Sequence, residues 1–540
     1  MNWIDYIVVI VYLIAFLGLG VFFKENKDAK DYFLGGKEMG WFPLSLSAMA
    51  TQLSAISFIS APAFVGLAQG GGMKWLTFEL AVPLAMIGII LIIVPPLYRA
   101  NIVSIYEFVE RRFSTSTRIV LSFVFQISRS LSTGVAVYTI AIILQSVLNI
   151  SFHYTIILIT VITIVYSFMG GMKAVVWGDA IQMIILFGGL LICIYYGWGL
   201  LQANPNFNGF ETERLQVVDM NNLGFDGGTF GFLPMMLGGL FLYLSYYGTD
   251  QTQAQRLLSA KDEKAAKNIL LANGLLRFPV VLTYCIMGLI IGALVHLTPD
   301  FMSEIAAVTQ KHYPKEFATS GIKPDLMLPV FIMKYLPHGM IGILIVGILS
   351  AAMSSVSSTI NSLGAVTVED LFNRGKVKLS QAKYMKLSKI SIVFWGFVCI
   401  ASAYLFGNTG GTVIELINMI SSQFYGPILA TFIIAILVKR VNYIGMNVGI
   451  VGGVLINISI KYFFDDIFWI WFNLTGFVIT FVLALVVSAL FKTEKNKDFN
   501  IEFKVKREDV LSRDVIILLI FFVIILGVSF SLPSILAGIR

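Results

Sequence analysis

Between positions 351 and 361 the chain reads Ala351-Ala352-Met353-Ser354-Ser355-Val356-Ser357-Ser358-Thr359-Ile360-Asn361, a cluster of hydroxyls in an otherwise apolar stretch. At helical spacing Ser354 and Ser358 share a face, as do Ser355 and Ser358. Neutral hydroxyls and a few freed backbone carbonyls can supply the roughly five or six oxygens that a hard ion such as Na⁺ wants, without several buried carboxylates. The same hydroxyls can instead bond back to carbonyls one turn earlier and only bend the helix. The residues alone leave both chemistries open.

Isolated charges in apolar surroundings form a second group. Arg129 stands about eleven residues, or about 16 Å, from the inner end of its run, near the bilayer centre. An arginine there costs at least about 2.5 kcal/mol on insertion scales, so it needs an acid, a carbonyl, a solute or an aqueous cavity. Glu79 falls a few residues inside the outer surface. Arg277 lies near the inner end of its run, where snorkelling is the cheaper explanation. Asp179 follows Gly178 at an inner helix start, where it can serve as an N-cap.

Such groups need elements that expose polar atoms inside a membrane. The stretch Ser45 to Ser57 and the stretch Tyr243 to Gln251 are rich in Ser, Thr, Gln or Gly, and each predicts an interrupted helix. They lie five helices apart, and an odd number of helices per unit inverts the second unit; interrupted helices at corresponding places in two halves mark a carrier's midplane site. Close packing through small residues is the plainer alternative for either one.

The composition demands a membrane. The 540 residues are 57% hydrophobic and only 13% charged, with a mean hydropathy of +0.84, against about a quarter charged in soluble domains. Apolar runs near 5–23, 41–67, 77–98, 117–147, 153–169, 180–201, 229–249, 268–296, 339–363, 388–406, 411–438, 443–460, 467–490 and 514–537 predict fourteen transmembrane helices, with an outer surface helix over 326–336. Lys and Arg accumulate in cytoplasmic loops. With the first helix entering from outside, 28 cations fall in inner segments and 8 in outer ones, leaving Arg129 and Arg277 within helices. Both termini are placed outside, and the first run, lacking a cationic leader and a cleavage site, is expected to be a retained helix.

Other classes are excluded on the same ground. A net charge of +7 scattered through short loops is not the concentrated face of a nucleic-acid binder. Cys193, Cys285 and Cys399 lie in apolar runs and read as packed thiols. His153, His296, His312 and His338 all fall at or near outer helix ends or in outer loops, too shallow for an intramembrane metal or Ser-His centre, and Asp465 and Asp466 sit in an outer turn. No nucleotide-binding motif argues for a primary pump. The basic stretch from Phe491 to Asp514 reads as a cytoplasmic loop facing anionic lipid headgroups.

Several segments together resemble the sodium:solute symporter family from about residue 31 to 440. Asp31-Tyr32-Phe33-Leu34-Gly35-Gly36-Lys37 is similar to the family's first inner loop and Ile105-Tyr106-Glu107-Phe108-Val109-Glu110-Arg111-Arg112-Phe113 to its second. Tyr166 to Ala174 with Val176-Trp177-Gly178-Asp179 resembles the family signature, joined by Gln255-Arg256 and the serine-rich Ser354 to Asn361. The resemblance implies an all-α, leucine-transporter-type core of two inverted five-helix repeats, at 41–201 and 229–438. Residues 1–40 then hold an extra helix and the first inner loop, and 439–540 three further helices.

The resemblance also implies sites. A main Na⁺ site would use the carbonyls of Ala50, Leu53 and Ala351 and the hydroxyls of Ser354 and Ser355. A second, found in members resembling sialic acid transporters, matches Asp179, Ser357 and Ser358. In sugar-binding members, a site glutamate matches Glu79 and an inner aromatic gate Tyr246, while asparagine, tryptophan and lysine positions hold Gln52, Tyr247 and Arg277. In the sialic acid branch a carboxylate-clamping arginine matches Arg129 and hydroxyl positions match Ser54 and Ser57, with a threonine replaced by Gln52. Phe78 and Tyr243 complete the expected solute set. The stretch Gly248 to Arg256 is closer to the iodide, vitamin and monocarboxylate branch, and with Arg129 it leans toward an anion.

The expectation is therefore a carrier and not an enzyme: Na⁺-coupled symport of a small polar solute, an organic anion such as a sialic acid or monocarboxylate, with Na⁺ at two sites and no organic cofactor. A sugar or polyol symporter with Arg129 tied up structurally is the alternative. From another class, a Na⁺-gated channel would pass ions faster than any alternating-access cycle, and a membrane sensor would append a signalling domain. The expected partners are the solute and lipid, with no nucleic acid, and the expected location is a plasma membrane of the bacterial inner-membrane type.

Overall fold

The computed structural model describes residues 1–24, 29–53, 55–148, 150–225, 229–373, 379–406, 412–464, 466–491 and 505–539. Ser54, Asp465, Arg540 and most cations of the 491–514 stretch lie outside them. Among the described residues the chain is helical, with a single isolated bridge between Met39 and Ala260.

Among the described residues eleven helices are long and apolar enough to cross a membrane, or twelve if the bent pair Trp41–Gln52 and Ala55–Gly66 is one span. The fourteen expected runs differ from this in two places. The runs at 153–169 and 180–201 lie on the continuous stretch Phe152–Gln202, which leaves helical geometry at Gly171 and so divides into two helices at that kink. The run at 229–249 is helical through the π-turn Pro234–Gly238 and the helix Gly239–Thr249, which follow each other without a break. The outer helix expected over 326–336 is present as Met327–Tyr335. Before it, Pro299–His312 and Pro314–Ser320 add two polar helices with no transmembrane signal.

Gly171 adopts φ 55 and ψ −150, and a Cβ there would lie 2.6 Å from Tyr32 O. Glycine alone tolerates both the dihedral and the approach. A second close approach joins Ala55–Gly66 to the helix Glu263–Leu297: a Cβ on Gly66 would meet Gly288 O at 2.2 Å. Backbone contact of this kind fixes two helices on either side of the cavity described below.

Both expected interruptions are present. The first half-helix ends at Leu53, which leaves helical geometry at φ −84 and ψ 69, and the next half is bent from it by 54°. The second interruption falls at Asp250, extended at φ −90 and ψ 126, whose Oδ1 accepts from Thr252 N at 2.8 Å and so starts the helix Gln251–Ser259. Around these breaks pack Thr115–Leu148, Phe152–Gln202, Glu263–Leu297, Met340–Val366 and Val413–Leu437. The helix Met340–Val366 is the most enclosed, buried along nearly its whole length. Tyr443–Phe463 and Trp471–Leu490 pair with each other outside Val413–Leu437.

Candidate functional site

A cavity of about 110 Å³ lies where the two breaks face the helices Thr115–Leu148, Glu263–Leu297, Met340–Val366 and Val413–Leu437. Gln52, Leu53, Ser57, Phe78, Glu79, Arg129, Tyr246, Arg277 and Ser355 line it. Aromatic faces from Trp75, Tyr284 and Tyr425 and polar tips from Ser132, Thr133, Thr359, Asn418 and Ser421 complete the wall. A mostly apolar hollow with a few convergent polar groups is the form a small-solute site takes.

Two arginines reach this wall, and each is matched by a carboxylate. Arg129 Nε donates to Asp250 Oδ2 at 2.6 Å, with Nη2 2.5 Å from the same oxygen. Its guanidinium lies over the rings of Tyr246 and Tyr425, at 4.9 and 5.6 Å from their centroids. The partner required for a charge at this depth is thus an acid from the second interrupted helix. Arg277 forms a bidentate pair with Glu79, Nε to Oε2 at 2.9 Å and Nη2 to Oε1 at 3.1 Å. The snorkelling expected of Arg277 is corrected by this pairing: the residue is 6% exposed and its charge is satisfied inside the protein. Arg277 Nη1 and Gln52 Oε1 are buried without a hydrogen-bond partner among the described residues.

Asp179 is not an N-cap. It lies within Phe152–Gln202, eight residues past the Gly171 kink, and is fully buried. Ser47 Oγ and Ser354 Oγ each donate to it at 2.6 Å, Ser358 Oγ at 3.2 Å, and Arg256 Nη2 at 2.8 Å. Arg256 also donates through Nε to Ser47 Oγ and through Nη2 to Ser358 Oγ. Counted with the inner-loop cations, Arg256 is instead 1% exposed, because four elements converge on it. Arg118 is likewise enclosed, 2.6 Å from Asp370.

Of the residues expected to bind solute, Gln52, Ser57, Phe78, Glu79, Arg129 and Tyr246 share the cavity wall. Tyr243 and Tyr247 stand behind it: the Tyr243 ring lies tilted against Phe78, centroids 4.7 Å apart, with its hydroxyl 3.5 Å from Arg277 Nη2, and Tyr247 reaches Asn273. Ser54 lies outside the described residues. Of those expected to hold the main Na⁺, Leu53 and Ser355 reach the cavity and Ser355 Oγ donates to Ala351 O, while Ser354 is turned to Asp179. Ser357 Oγ donates to Ser354 O, one turn back, and makes no bond to Asp179.

Sequence reasoning missed Asp250, Ser47, Tyr425 and the Ser132–Thr133 pair. The last lies three and four residues beyond Arg129, so helical spacing from the arginine would have found it. Among the described residues no group of three His, Cys, Asp or Glu side chains could hold a metal. The oxygen-rich surroundings of Leu53 and Ser355 fit a hard monovalent cation by donor type.

Comparison with known proteins follows the same line. The chain is 30% identical over 85% of its length to a sodium-coupled monocarboxylate transporter 2 of Danio rerio, covering 71% of that protein. It is 27% identical over 92% of its length to a sodium/sialic acid symporter of Proteus mirabilis, covering 96% of it. It is 28% identical over 84% of its length to a human sodium/iodide cotransporter, covering 69% of it. In fold it resembles a Na⁺-coupled sialic acid symporter solved in a substrate-bound outward-open state, with a TM-score of 0.76 at 24% identity, across 92% of this chain and 99% of that one. These relatives are transporters, not enzymes, and Na⁺ is their coupling ion. The family described as the sodium:solute symporter family matches residues 32–453, and the chain belongs to it as a multi-pass, sodium-coupled solute symporter.

Proposed function

We propose that the chain moves a small organic anion, of the sialic acid or monocarboxylate kind, inward on the Na⁺ gradient by alternating access. The observation that carries this reading is Arg129. Asp250 accepts from Nε and lies in ion-pair contact with Nη2, and the guanidinium is held against Tyr246 and Tyr425 at the cavity wall, where its remaining donors can meet a solute carboxylate. Monocarboxylate, iodide and sialic acid, for which its relatives are named, are all anions. Because the two cavity arginines are already balanced by Asp250 and Glu79, a bound anion adds uncompensated charge. A Na⁺ bound beside Leu53 and Ser355 offsets it, so solute and ion raise each other's affinity.

Two Na⁺ sites belong to this reading. The first uses the carbonyls of Ala50, Leu53 and Ala351 with Ser354 and Ser355; the second uses Asp179, Ser357 and Ser358. It also takes in fourteen spans with both termini outside, inverted repeats at 41–201 and 229–438, and a membrane of the bacterial inner type. The balance of two guanidiniums by two carboxylates favours one rival, a neutral sugar or polyol.

The test is Na⁺-dependent uptake into proteoliposomes of carboxylates and of sugars, by wild type and by the charge-neutral double variant Arg129→Gln/Asp250→Asn. Loss of carboxylate uptake alone supports the anion. Sugar uptake that survives in the double variant, with no carboxylate uptake in wild type, supports the rival, and uptake indifferent to Na⁺ overturns both.

A further inference from the structure

Asp179 Oδ2 receives three donors: Ser47 Oγ at 2.6 Å, Arg256 Nη2 at 2.8 Å and Ser358 Oγ at 3.2 Å. Oδ1 receives Ser354 Oγ at 2.6 Å. The guanidinium closes the ring from the other side, with Nε 2.8 Å from Ser47 Oγ and Nη2 donating to Ser358 Oγ. Each of these two hydroxyls therefore gives its hydrogen to the carboxylate and a lone pair to Arg256. Arg256 Nη1 is held by Thr252 O, one turn back on the helix Gln251–Ser259. None of Asp179, Ser47, Ser358 and Arg256 is more than 1% exposed, so the two charges balance each other with little help from solvent.

These are oxygens of the kind that the proposed second Na⁺ site calls for. A hard cation binds the lone pairs of carboxylate and hydroxyl oxygens, and here Asp179 Oδ2, Ser47 Oγ and Ser358 Oγ all face one guanidinium. Ser357, the remaining member of the proposed set, donates to Ser354 O instead. A Na⁺ added beside Arg256 would put two cations on one buried carboxylate, and like charges at such a distance oppose each other. The residues fit a cation, one cation at a time. Arg256 stands six residues past the break at Asp250, and through Ser47 it joins the helix after the second break to the half-helix Trp41–Gln52 before the first.

We infer that Arg256 is a tethered counter-ion at the second sodium position, and that Asp179 is shared in turn between its guanidinium and the ion. The inference rests on the proposed second Na⁺ site. While no ion is bound there, Arg256 keeps the carboxylate neutralised. The guanidinium withdraws as an ion binds, and its bond to Ser47 Oγ is lost with it. Arg256 thus lowers the apparent affinity for the second ion and ties the arrival of that ion to a loosening of the joint between the two interrupted helices.

The test is the melting temperature of the purified full chain, titrated with NaCl against KCl at constant ionic strength. Arg256→Gln removes the tethered charge and leaves Asp179 unpaired, so it is expected to melt below wild type in KCl. Its Na⁺ midpoint should fall about tenfold, because the ion no longer displaces a charge-assisted hydrogen bond. A guanidinium that only braces the fold would lower melting equally in both salts, and a midpoint that does not fall overturns the inference. Asp179→Asn/Arg256→Gln removes both charges and should lose the gain; a lowered midpoint that persists there overturns the proposed site at Asp179 itself. If Arg256→Gln does not fold, Arg256→Lys decides. An ammonium lacks the fork that bonds the carboxylate and both serines together, so the midpoint should again fall, and one at or above the wild-type value overturns the inference. A wild type that responds to Na⁺ no more than to K⁺ overturns the sodium reading altogether, and is distinguished from the other failures by that control.

Discussion

Asp250 serves Arg129 and its own helix at once: Oδ2 receives Arg129 Nε at 2.6 Å, and Oδ1 receives Thr252 N at 2.8 Å. The counter-charge of the buried arginine is therefore also the cap that starts the second half of an interrupted helix. Asp250→Asn keeps an oxygen for the cap and removes only the charge. Stranding one partner of a buried pair typically costs about 3 to 5 kcal/mol. The single variant should melt well below wild type, and Arg129→Gln/Asp250→Asn should recover most of the difference without recovering carboxylate uptake. A single variant as stable as the double would show that the pair carries no such weight.

Glu79 and Arg277 make the complementary case on the opposite wall. Glu79→Gln leaves the Arg277 guanidinium with weaker acceptors, and Tyr243, whose hydroxyl is 3.5 Å from Nη2, cannot replace a carboxylate. Uptake should fall by about tenfold or more, since charge-assisted hydrogen bonds are worth roughly 1.5 to 3 kcal/mol. Initial rates in proteoliposomes check this.

The serine helix separates into members with different expected effects. Ser355→Ala removes a hydroxyl at the cavity wall and should raise the Na⁺ midpoint about fivefold, the value of one oxygen contact. Ser357→Ala, at the proposed second Na⁺ site, should raise it less, because Ser357 Oγ is bonded back to Ser354 O and must leave that bond to meet an ion. Asp179→Asn should be the most damaging of the three, since it strands Arg256 in a fully buried place. Equal effects for Ser355 and Ser357 would redraw the site.

Outside the spans, Asp325 predicts a pH dependence. Burial pushes its carboxyl above the ordinary range, against the pull of Lys323 and the Ser60 hydroxyl. The folded state thus holds this proton more tightly than the unfolded one. The associated stability is complete below the ordinary carboxylate pKa and is lost as pH rises through the higher folded value. Asp325→Asn keeps an acceptor for Ser60 without the charge. Its melting temperature should match wild type near about pH 4 and exceed it at about pH 7. A difference constant with pH would sink the argument.

Much of this was legible in the sequence where residue type alone decides the matter. The interruptions at Leu53 and Asp250 announced themselves as polar stretches in apolar runs, and the seryl face of Met340–Val366 as hydroxyls at helical spacing. Pairing was not legible, because Arg129 and Asp250 stand 121 positions apart and Arg277 and Glu79 198 apart. Distance along the chain also hid Arg256, which counts as a loop cation until Asp179 is seen beside it. The division at Gly171 was legible as the gap between the runs at 153–169 and 180–201, where a single glycine at φ 55 and ψ −150 leaves helical geometry and turns the chain.

The three buried pairs nearest the cavity, Arg129 with Asp250, Arg277 with Glu79 and Arg256 with Asp179, add no net fixed charge to its surroundings. Moving one elementary charge across the membrane field is worth about 2.3 kcal/mol per 100 mV. A carrier whose pairs travel together performs almost none of that work when it returns unloaded. Voltage then acts on the loaded stroke, where Na⁺ and solute cross together, and the current it draws measures how many ions accompany each solute.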